Sequence, residues 1–154
     1  RAHPPDQLTP DRLPPDQLIP DQQDAGPRLT IAALVVTHNR LEKLRVTVTR
    51  LLAEDLDRVL VFDNQSGDGT AEWLASLPDP RLIVIRSPAN IGGAGGFSRG
   101  MRHLAEQVDP DWIVVMDDDG RPVPGCIATF RSLPPHDWDA VSAAVLTPSG
   151  GICE

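Results

Sequence analysis

The 154-residue sequence has little cysteine, no long apolar stretch and no run of basic residues. Its two cysteines, Cys126 and Cys153, match no metal or disulfide spacing, which suits a reducing compartment. No apolar run approaches the ~18 residues of a membrane-spanning helix, and no signal-peptide pattern opens the chain. The formal charge is -8, which disfavours nucleic acid as a partner. We therefore expect a cytoplasmic protein with no transmembrane segment.

Proline is concentrated at the start of the chain. Seven of the 16 prolines lie in residues 4–27, where Pro-Pro-Asp-Gln-Leu occurs at 4–8 and again at 14–18. Such a segment has too few apolar side chains to offset the entropy lost on ordering. Residues 1–28 are therefore predicted to be a disordered tail or linker, and residues 29–154 to contain the folded part. A polyproline ligand is the alternative, but the segment lacks a flanking basic pattern.

Strand and helix patterns alternate from residue 29 onwards. Apolar runs predict five strands, at 31–36, 58–62, 81–85, 112–116 and 140–146. Helical spacing is found at 41–52, 69–77, 96–107 and 123–132. This alternation predicts an α/β fold with a mostly parallel sheet and flanking helices. Ligands of such sheets bind at the carboxyl ends of the strands, where polar residues collect here, at 37–40, 63–66, 87–90 and 117–119.

Three consecutive carboxylates follow the fourth predicted strand. Asp117, Asp118 and Asp119 repel one another, by roughly 4 kcal/mol for a pair 4 Å apart at an effective dielectric constant near 20. Mg²⁺ or Mn²⁺ removes that cost, and such cations are commonly held by one or two carboxylates and substrate phosphates. Because side chains alternate along an extended segment, Asp117 and Asp119 are predicted to face one site and Asp118 to face away. A solvated acidic turn is the alternative.

A glycine-rich segment, residues 90–100, follows the third predicted strand. We expect Asn90, Gly92 and Gly93 to form a turn entering a helix, where backbone N–H groups approach phosphate oxygens. Arg99, one helical turn inside, would bring a positive charge to a pyrophosphate. The spacing differs from that of the dinucleotide-binding fingerprint. A flexible loop or close helix packing is the alternative explanation for the glycines.

The ends of the first two predicted strands carry candidate nucleotide contacts. Asp63 ends the second strand, and its carboxylate can accept the ring N–H of a uracil or thymine. Thr37 and Asn39 hold the equivalent place on the first strand, and Arg40 follows them. The chain has no G-x-S-x-G elbow and no Cys/His pair, so covalent hydrolase chemistry has no support.

Four segments, 35–40, 63–70, 90–100 and 112–119, resemble in this order those of family 2 glycosyltransferases with the Rossmann-like GT-A fold. The resemblance covers residues 31 to 146. Gly-Gly-Ala-Gly-Gly-Phe at 92–97, followed by the three aspartates, is most similar to the galactofuranosyl- and rhamnosyltransferase-like branch.

This resemblance implies an inverting, metal-dependent transferase with a nucleotide-diphospho-sugar donor and a glycan or lipid-linked acceptor. It implies that Thr37, Arg40 and Asp63 hold the base and ribose, with Arg99 near the phosphates. It also implies that Asp117 contacts the ribose or the metal, and that Asp119 ligates the metal. Asn39, Asn90, Gly92, Gly93 and Asp118 complete the expected donor-binding set. A lipid-linked acceptor would place the protein peripherally at the inner face of a membrane.

Two features depart from the family pattern. His38 stands where tyrosine is common. The family's catalytic Asp or Glu and a further metal-ligand His lie well downstream of the three aspartates, and only 35 residues follow Asp119. We therefore expect the catalytic base beyond Glu154, and a chain that holds the donor half of a domain truncated at its C-terminal side.

Two other functions fit parts of the sequence. Asp-x-Asp-Gly after a strand resembles the nucleophile loop of haloacid-dehalogenase-like phosphatases, although in that family the loop follows the first strand of the core. A non-catalytic nucleotide-binding module is the second alternative.

Overall fold

The computed structural model describes residues 28–134, 137–147 and 149–151. The repeat at 4–18 and Cys153 lie outside the described residues. Within the described part, four strands alternate with four helices, in the order β1 (Ile31–Thr37), α1 (Leu41–Leu52), β2 (Arg58–Asp63), α2 (Thr70–Ala75), β3 (Leu82–Arg86), α3 (Gly92–Gln107), β4 (Trp112–Asp117) and α4 (Cys126–Arg131). Over these same ranges, no helix combines the length and the apolar composition needed to cross a membrane.

The four strands form one parallel sheet in the order β3-β2-β1-β4. β1 lies between β2 and β4, and all seven of its residues are buried. A strand covered on both faces has no solvent-facing side to fill with polar residues, which explains its continuous apolar run. The predicted α/β fold with a mostly parallel sheet is confirmed.

Helices cover both faces of the sheet. Ile31, Ala33 and Val35 of β1 face a cluster that includes the buried residues of α1 and Ile127 of α4. Ala32, Leu34 and Val36 face the opposite cluster, which contains Leu104 of α3. This alternation follows from the two-residue period of a strand and gives a three-layer arrangement.

The glycine-rich segment lies inside α3 and does not precede it. The helix begins at Gly92, four residues before the predicted start at 96. Gly96 and Gly100 are one turn apart and face the sheet, where a Cβ would come within 2.7 Å of Val36 Cγ1 and 2.5 Å of Leu34 Cδ1, respectively. Close packing of α3 on β1 therefore explains these two glycines, as the alternative from sequence anticipated.

The predicted fifth strand at 140–146 is not formed. Its residues are exposed, and only Leu146 makes an isolated bridge. The sheet of the described residues has four strands, and the backbone N–H and C=O groups of a strand need a neighbouring ladder. An apolar run alone was therefore not sufficient to predict a strand.

Charged side chains hold the amino-terminal edge of the sheet, opposite the carboxyl ends of the strands. Arg28, placed by sequence in the tail, contacts Asp55 and Asp57 at 2.6 Å each. Asp57 also accepts the N–H of Ile31, the first residue of β1, at 2.8 Å. Partial burial acts to raise the pKa of Asp57, but this bond and those from Arg28 and Arg131 lower it to about 2. A charged Asp57 thus stabilises the start of β1.

Candidate active site

The carboxyl ends of the strands lie side by side because the strands are parallel and in register. Thr37 pairs with Asp63 across β1 and β2, and Val36 pairs with Asp117 across β1 and β4. Asp63 in turn pairs with Arg86 of β3. Neighbouring strands are about 4.8 Å apart, so these residues form one continuous edge.

Asp118 is buried behind this edge, with 3% of its surface exposed. Its Oδ2 accepts a hydrogen bond from Thr37 Oγ1 at 2.9 Å, and its main-chain oxygen accepts one from Thr47 Oγ1 at 2.7 Å. Arg40 Nη1 forms an ion pair with Oδ1 at 3.0 Å, and Oδ1 accepts no hydrogen bond from the described residues. Burial raises the pKa of Asp118, and the Thr37 hydroxyl and the Arg40 charge oppose that rise.

Asp119, next along the chain, is exposed, and two cationic side chains contact one of its carboxylate oxygens. Arg40 Nη2 lies 2.6 Å and Lys43 Nζ 3.3 Å from Asp119 Oδ2. The hydrogen bonds from Arg40 and then Lys43 lower the pKa of Asp119. Arg40 therefore bridges the buried Asp118 and the exposed Asp119.

Asp117 is also exposed, at the last position of β4. It borders a groove of about 310 Å³ together with Phe97, Met101, Val115 and Met116. Asp118 is thus buried while its two neighbours face solvent. Asp118 and Asp119 lie in a turn, closed by a 3.0 Å hydrogen bond from the Gly120 N–H to the Asp117 carbonyl oxygen, so the extended segment assumed in the sequence prediction ends at Asp117.

Asp63 is fully buried at the end of β2. Its Oδ1 accepts the N–H of Ser66 at 2.8 Å. Its Oδ2 has no hydrogen-bond partner among the described residues, and Arg86 Nε is 3.6 Å away. A buried carboxylate oxygen without a donor is costly, so this atom has unused capacity to accept a hydrogen bond.

Asn39 joins the loops that follow β1 and β2. Its backbone has a positive φ of 53°, which asparagine tolerates better than most residues. The N–H of Asn39 donates to Ser66 Oγ at 3.0 Å, and its Oδ1 accepts the N–H of Gly67 at 2.7 Å. His38 supports the same junction through Nδ1, 2.8 Å from the Asn64 carbonyl oxygen. The Asn39 side chain thus orders the two loops that flank Asp63.

Asn90 has a comparable role at the start of α3. Its Oδ1 accepts the Asn64 amide at 2.9 Å and the N–H of Gly92 at 2.9 Å. Gly92 has a φ of 75°, a conformation that favours glycine, and Gly93 has open space beside it. The first N–H groups of a helix have no partner within it, so this exposed first turn presents backbone donors.

Arg99 lies further along α3 than the sequence predicted. The helix begins at Gly92, so Arg99 is seven residues in, or about 10 Å along the axis, where one turn was expected. The difference arises because the glycines that looked like a turn are themselves helical. Arg99 is exposed on α3.

Sequence reasoning missed three residues of this region, namely Lys43, Thr47 and Asn64. Lys43 and Thr47 follow Arg40 at helical spacing on α1, and this spacing was a usable signal that they share a face towards the aspartates. Asn64 directly follows Asp63, and its side chain reaches both Asn90 and the N–H of Ile91. A depression of about 350 Å³ lies at the start of α1, lined by Asn39, Arg40, Leu41, Glu42, Lys43 and Asp68.

The carboxylates suit a divalent cation that shares its ligands with a substrate. In the part of the chain that the structure describes, no three His, Cys, Asp or Glu residues converge as a metal site. Asp117 and Asp119 offer solvent-facing oxygen ligands at one sheet edge. Mg²⁺ is commonly bound in this way, through one or two carboxylates, waters and substrate phosphates.

Comparison with known proteins identifies relatives. The model for "Glycosyl transferase family 2" matches residues 32–141. Galactofuranosyltransferase GlfT1 of Mycolicibacterium smegmatis is 39% identical over 94 residues, which are 60% of this chain and 30% of that protein. Undecaprenyl-phosphate mannosyltransferase of Micrococcus luteus is 33% identical over 95 residues, 60% of this chain and 39% of that protein. The chain thus spans about a third of the length of the curated relatives it matches.

Solved glycosyltransferases share the fold. Mannosyltransferase PcManGT from Pyrobaculum calidifontis, in complex with GDP-Man and Mn²⁺, superimposes with a TM-score of 0.62 at 22% identity, covering 79% of this chain and 37% of that one. S. aureus TarS 1-349 in complex with UDP-GlcNAc gives 0.58 at 18% identity, covering 66% and 30%. These matches identify the GT-A arrangement and give the haloacid-dehalogenase alternative no support. The family match extends over most of the folded part, and the chain belongs to glycosyl transferase family 2.

Proposed function

We propose that this chain is the donor-binding part of a metal-dependent, inverting glycosyltransferase. The donor is a nucleotide diphosphate carrying galactofuranose or rhamnose, and the acceptor is a glycan or a lipid-linked sugar. Family membership and the galactofuranosyltransferase relatives support sugar transfer from a nucleotide-diphospho-sugar. The observation that carries the proposal is that Arg40 bridges buried Asp118 and exposed Asp119 on the sheet edge that also holds Asp63.

The nucleoside is proposed to bind over the ends of β1 and β2. The Oδ2 of Asp63, which accepts no hydrogen bond from the described residues, would accept the ring N–H of a uracil or thymine base. Thr37 pairs with Asp63 in the neighbouring strand, and its hydroxyl is held by Asp118. Asn39 orders the loop between them, so its role in donor binding is to shape the pocket.

The diphosphate is proposed to lie between the start of α3 and the aspartates. Gly92 and Gly93 leave the first turn of α3 open, and Asn90 fixes its orientation. Helix N-termini favour anions because their N–H groups are unpaired and the helix dipole is positive there. Arg99 lies further along the helix and would reach the donor with its long side chain.

Asp117 and Asp119 are proposed to hold Mn²⁺ or Mg²⁺, and Asp118 to fix the loop that positions them. A bound divalent cation supplies Lewis-acid neutralisation of the departing nucleotide diphosphate. The described side chains would fix the turn that carries Asp119, because Thr37 and Arg40 tie Asp118 to the end of β1 and the start of α1.

The catalytic base and the residues that bind the acceptor are proposed to lie beyond Glu154. One relative is named as an undecaprenyl-phosphate mannosyltransferase, which supports a lipid-linked acceptor and a peripheral position at the inner face of a membrane. In that arrangement, residues 29–154 serve the donor.

Calorimetric titration with UDP, TDP and GDP, each with and without Mn²⁺, tests the proposal. We expect UDP or TDP to bind only with Mn²⁺, and Asp119→Asn to abolish that binding. Glu106→Gln, an exposed carboxylate near the other end of α3, is the matched control and should bind as the unsubstituted chain does. Binding that is independent of Mn²⁺ and unchanged by Asp119→Asn would contradict the metal assignment. A folded chain that binds none of the three nucleotides would contradict the function.

A further inference from the structure

Lys43 contacts the carboxylate of Asp119, which is proposed to hold the metal. Its Nζ lies 3.3 Å from Asp119 Oδ2, the atom that Arg40 Nη2 approaches at 2.6 Å. Lys43 is also the only lysine of the 154-residue sequence. Arg40 is the N-cap residue of α1 and Lys43 lies three residues further, in its first turn, so both reach Asp119 from one end of the helix.

The two cations differ in how firmly they are held. Arg40 also pairs with the buried Asp118 at 3.0 Å, so it keeps an anionic partner when Asp119 is engaged elsewhere. The ammonium of Lys43, among the described residues, pairs with Asp119 alone, and its side chain is 52% exposed. Lys43 is therefore the more easily displaced of the two.

A divalent cation on Asp119 changes the partners available to Lys43. The metal and the ammonium are like charges that compete for one carboxylate, so binding of either disfavours the other. A nucleotide diphosphate bound at the same edge would supply new anionic oxygens to the flexible four-carbon side chain of Lys43.

We propose that Lys43 exchanges partners during donor binding: it occupies Asp119 in the ligand-free chain and moves to the donor diphosphate once a divalent cation takes Asp119. This inference rests on the proposed function. Lys43 would then weaken binding of the divalent cation alone and strengthen binding of the cation together with the nucleotide. This difference favours binding of the cation–nucleotide complex over binding of the cation by itself.

Mn²⁺ titrations followed by electron paramagnetic resonance of the free ion test the exchange. With Mn²⁺ alone, Lys43→Met should bind roughly two- to fivefold more tightly than the unsubstituted chain, the range expected for an exposed ion pair. With saturating Mn²⁺, the same variant should bind UDP more weakly by a similar factor, and Lys43→Arg should restore both values. Arg45→Met removes one charge from the same helix, where Arg45 lies over Trp73, and should change neither.

A second readout uses the single lysine directly. Reductive methylation with ¹³C-formaldehyde labels Lys43 and the chain's α-amino group, and Lys43→Arg identifies the lysine signal. The exchange predicts that this signal shifts on adding Mg²⁺ and shifts again on adding UDP. A signal that stays in place while Mg²⁺ and UDP bind would overturn the proposal.

The outcomes separate this inference from the proposed function. If the unsubstituted chain binds Mn²⁺ and UDP but Lys43→Met leaves both affinities unchanged, the exchange is wrong and the function stands. Tighter Mn²⁺ binding without weaker UDP binding would refute the transfer of Lys43 to the diphosphate. If the unsubstituted chain binds no UDP with Mn²⁺, the function fails and the exchange fails with it.

Discussion

The hydroxyl of Thr37 donates a 2.9 Å hydrogen bond to the buried carboxylate of Asp118, 81 residues further along the chain. This bond joins the carboxyl end of β1 to the turn after β4, between the exposed Asp117 at the end of that strand and the exposed Asp119. The position of Asp117 and Asp119 therefore depends on a contact made by neither of them.

Replacing Thr37 by valine tests this contact. Thr37→Val keeps the side-chain shape but leaves a buried carboxylate oxygen without its donor, and we expect a loss of about 1–3 kcal/mol in the free energy of unfolding. Urea unfolding measures it. Thr49→Val, on the exposed face of α1, is the control and should stay within about 0.5 kcal/mol of the unsubstituted chain. Equal stabilities for the two variants would contradict the role of the hydroxyl.

Replacing glycine by alanine is expected to change the stability of the protein in opposite directions at two positions of α3. Gly100→Ala places a Cβ 2.5 Å from Leu34 Cδ1, so the buried leucine must shift, at an expected cost of about 1–3 kcal/mol. Gly93→Ala meets nothing within 4 Å and should stabilise the helix by up to about 1 kcal/mol. Thermal unfolding of both variants measures the difference. A Gly100→Ala protein as stable as Gly93→Ala would show that α3 does not pack as closely as described.

These glycines also show why α3 was only partly predictable. Its C-terminal end at Gln107 matches the helical pattern, but five glycines between 92 and 100 resemble a turn because glycine is a poor helix former. For Gly96 and Gly100 the cause is the approach of α3 to Val36 and Leu34, residues more than 50 positions away. Local sequence does not report such a distant contact.

Asp57, at the amino-terminal edge of the sheet, should make the free energy of unfolding depend on pH. Its pKa is lowered from 3.8 to about 2, so its contribution is present above about pH 4 and is lost as the pH falls towards 2. Asp57→Asn should lose about 1–2 kcal/mol at pH 7, a figure reduced for partial exposure, and the difference should shrink below pH 4. Urea unfolding at several pH values measures the difference. Asp139→Asn, in an exposed loop, should show no such trend, and a difference for Asp57→Asn that persists at pH 2 would contradict the assignment.

Part of the candidate site could be predicted from sequence patterns, and part could not. The strand ends at Thr37, Asp63 and Asp117 follow from apolar runs and parallel topology, and the structure places them on one edge. The contacts of Lys43 depend on how α1 lies against the loop after β4, which no local pattern encodes. The run at 140–146 fails for the same reason, because a strand is defined by its neighbours.

The most direct test of the account locates the bound metal and nucleotide on the described chain. Amide signals of the 16.7 kDa chain are recorded by nuclear magnetic resonance with and without UDP, in each case before and after adding Mn²⁺, which broadens nearby signals. We expect UDP-dependent broadening centred on Asp117, Asp119 and Gly93. The signals of Ile31 and Arg58, about 20 Å away at the other ends of the strands, should remain sharp. Broadening centred on Asp55 and Asp57, or broadening that UDP does not change, would contradict the account.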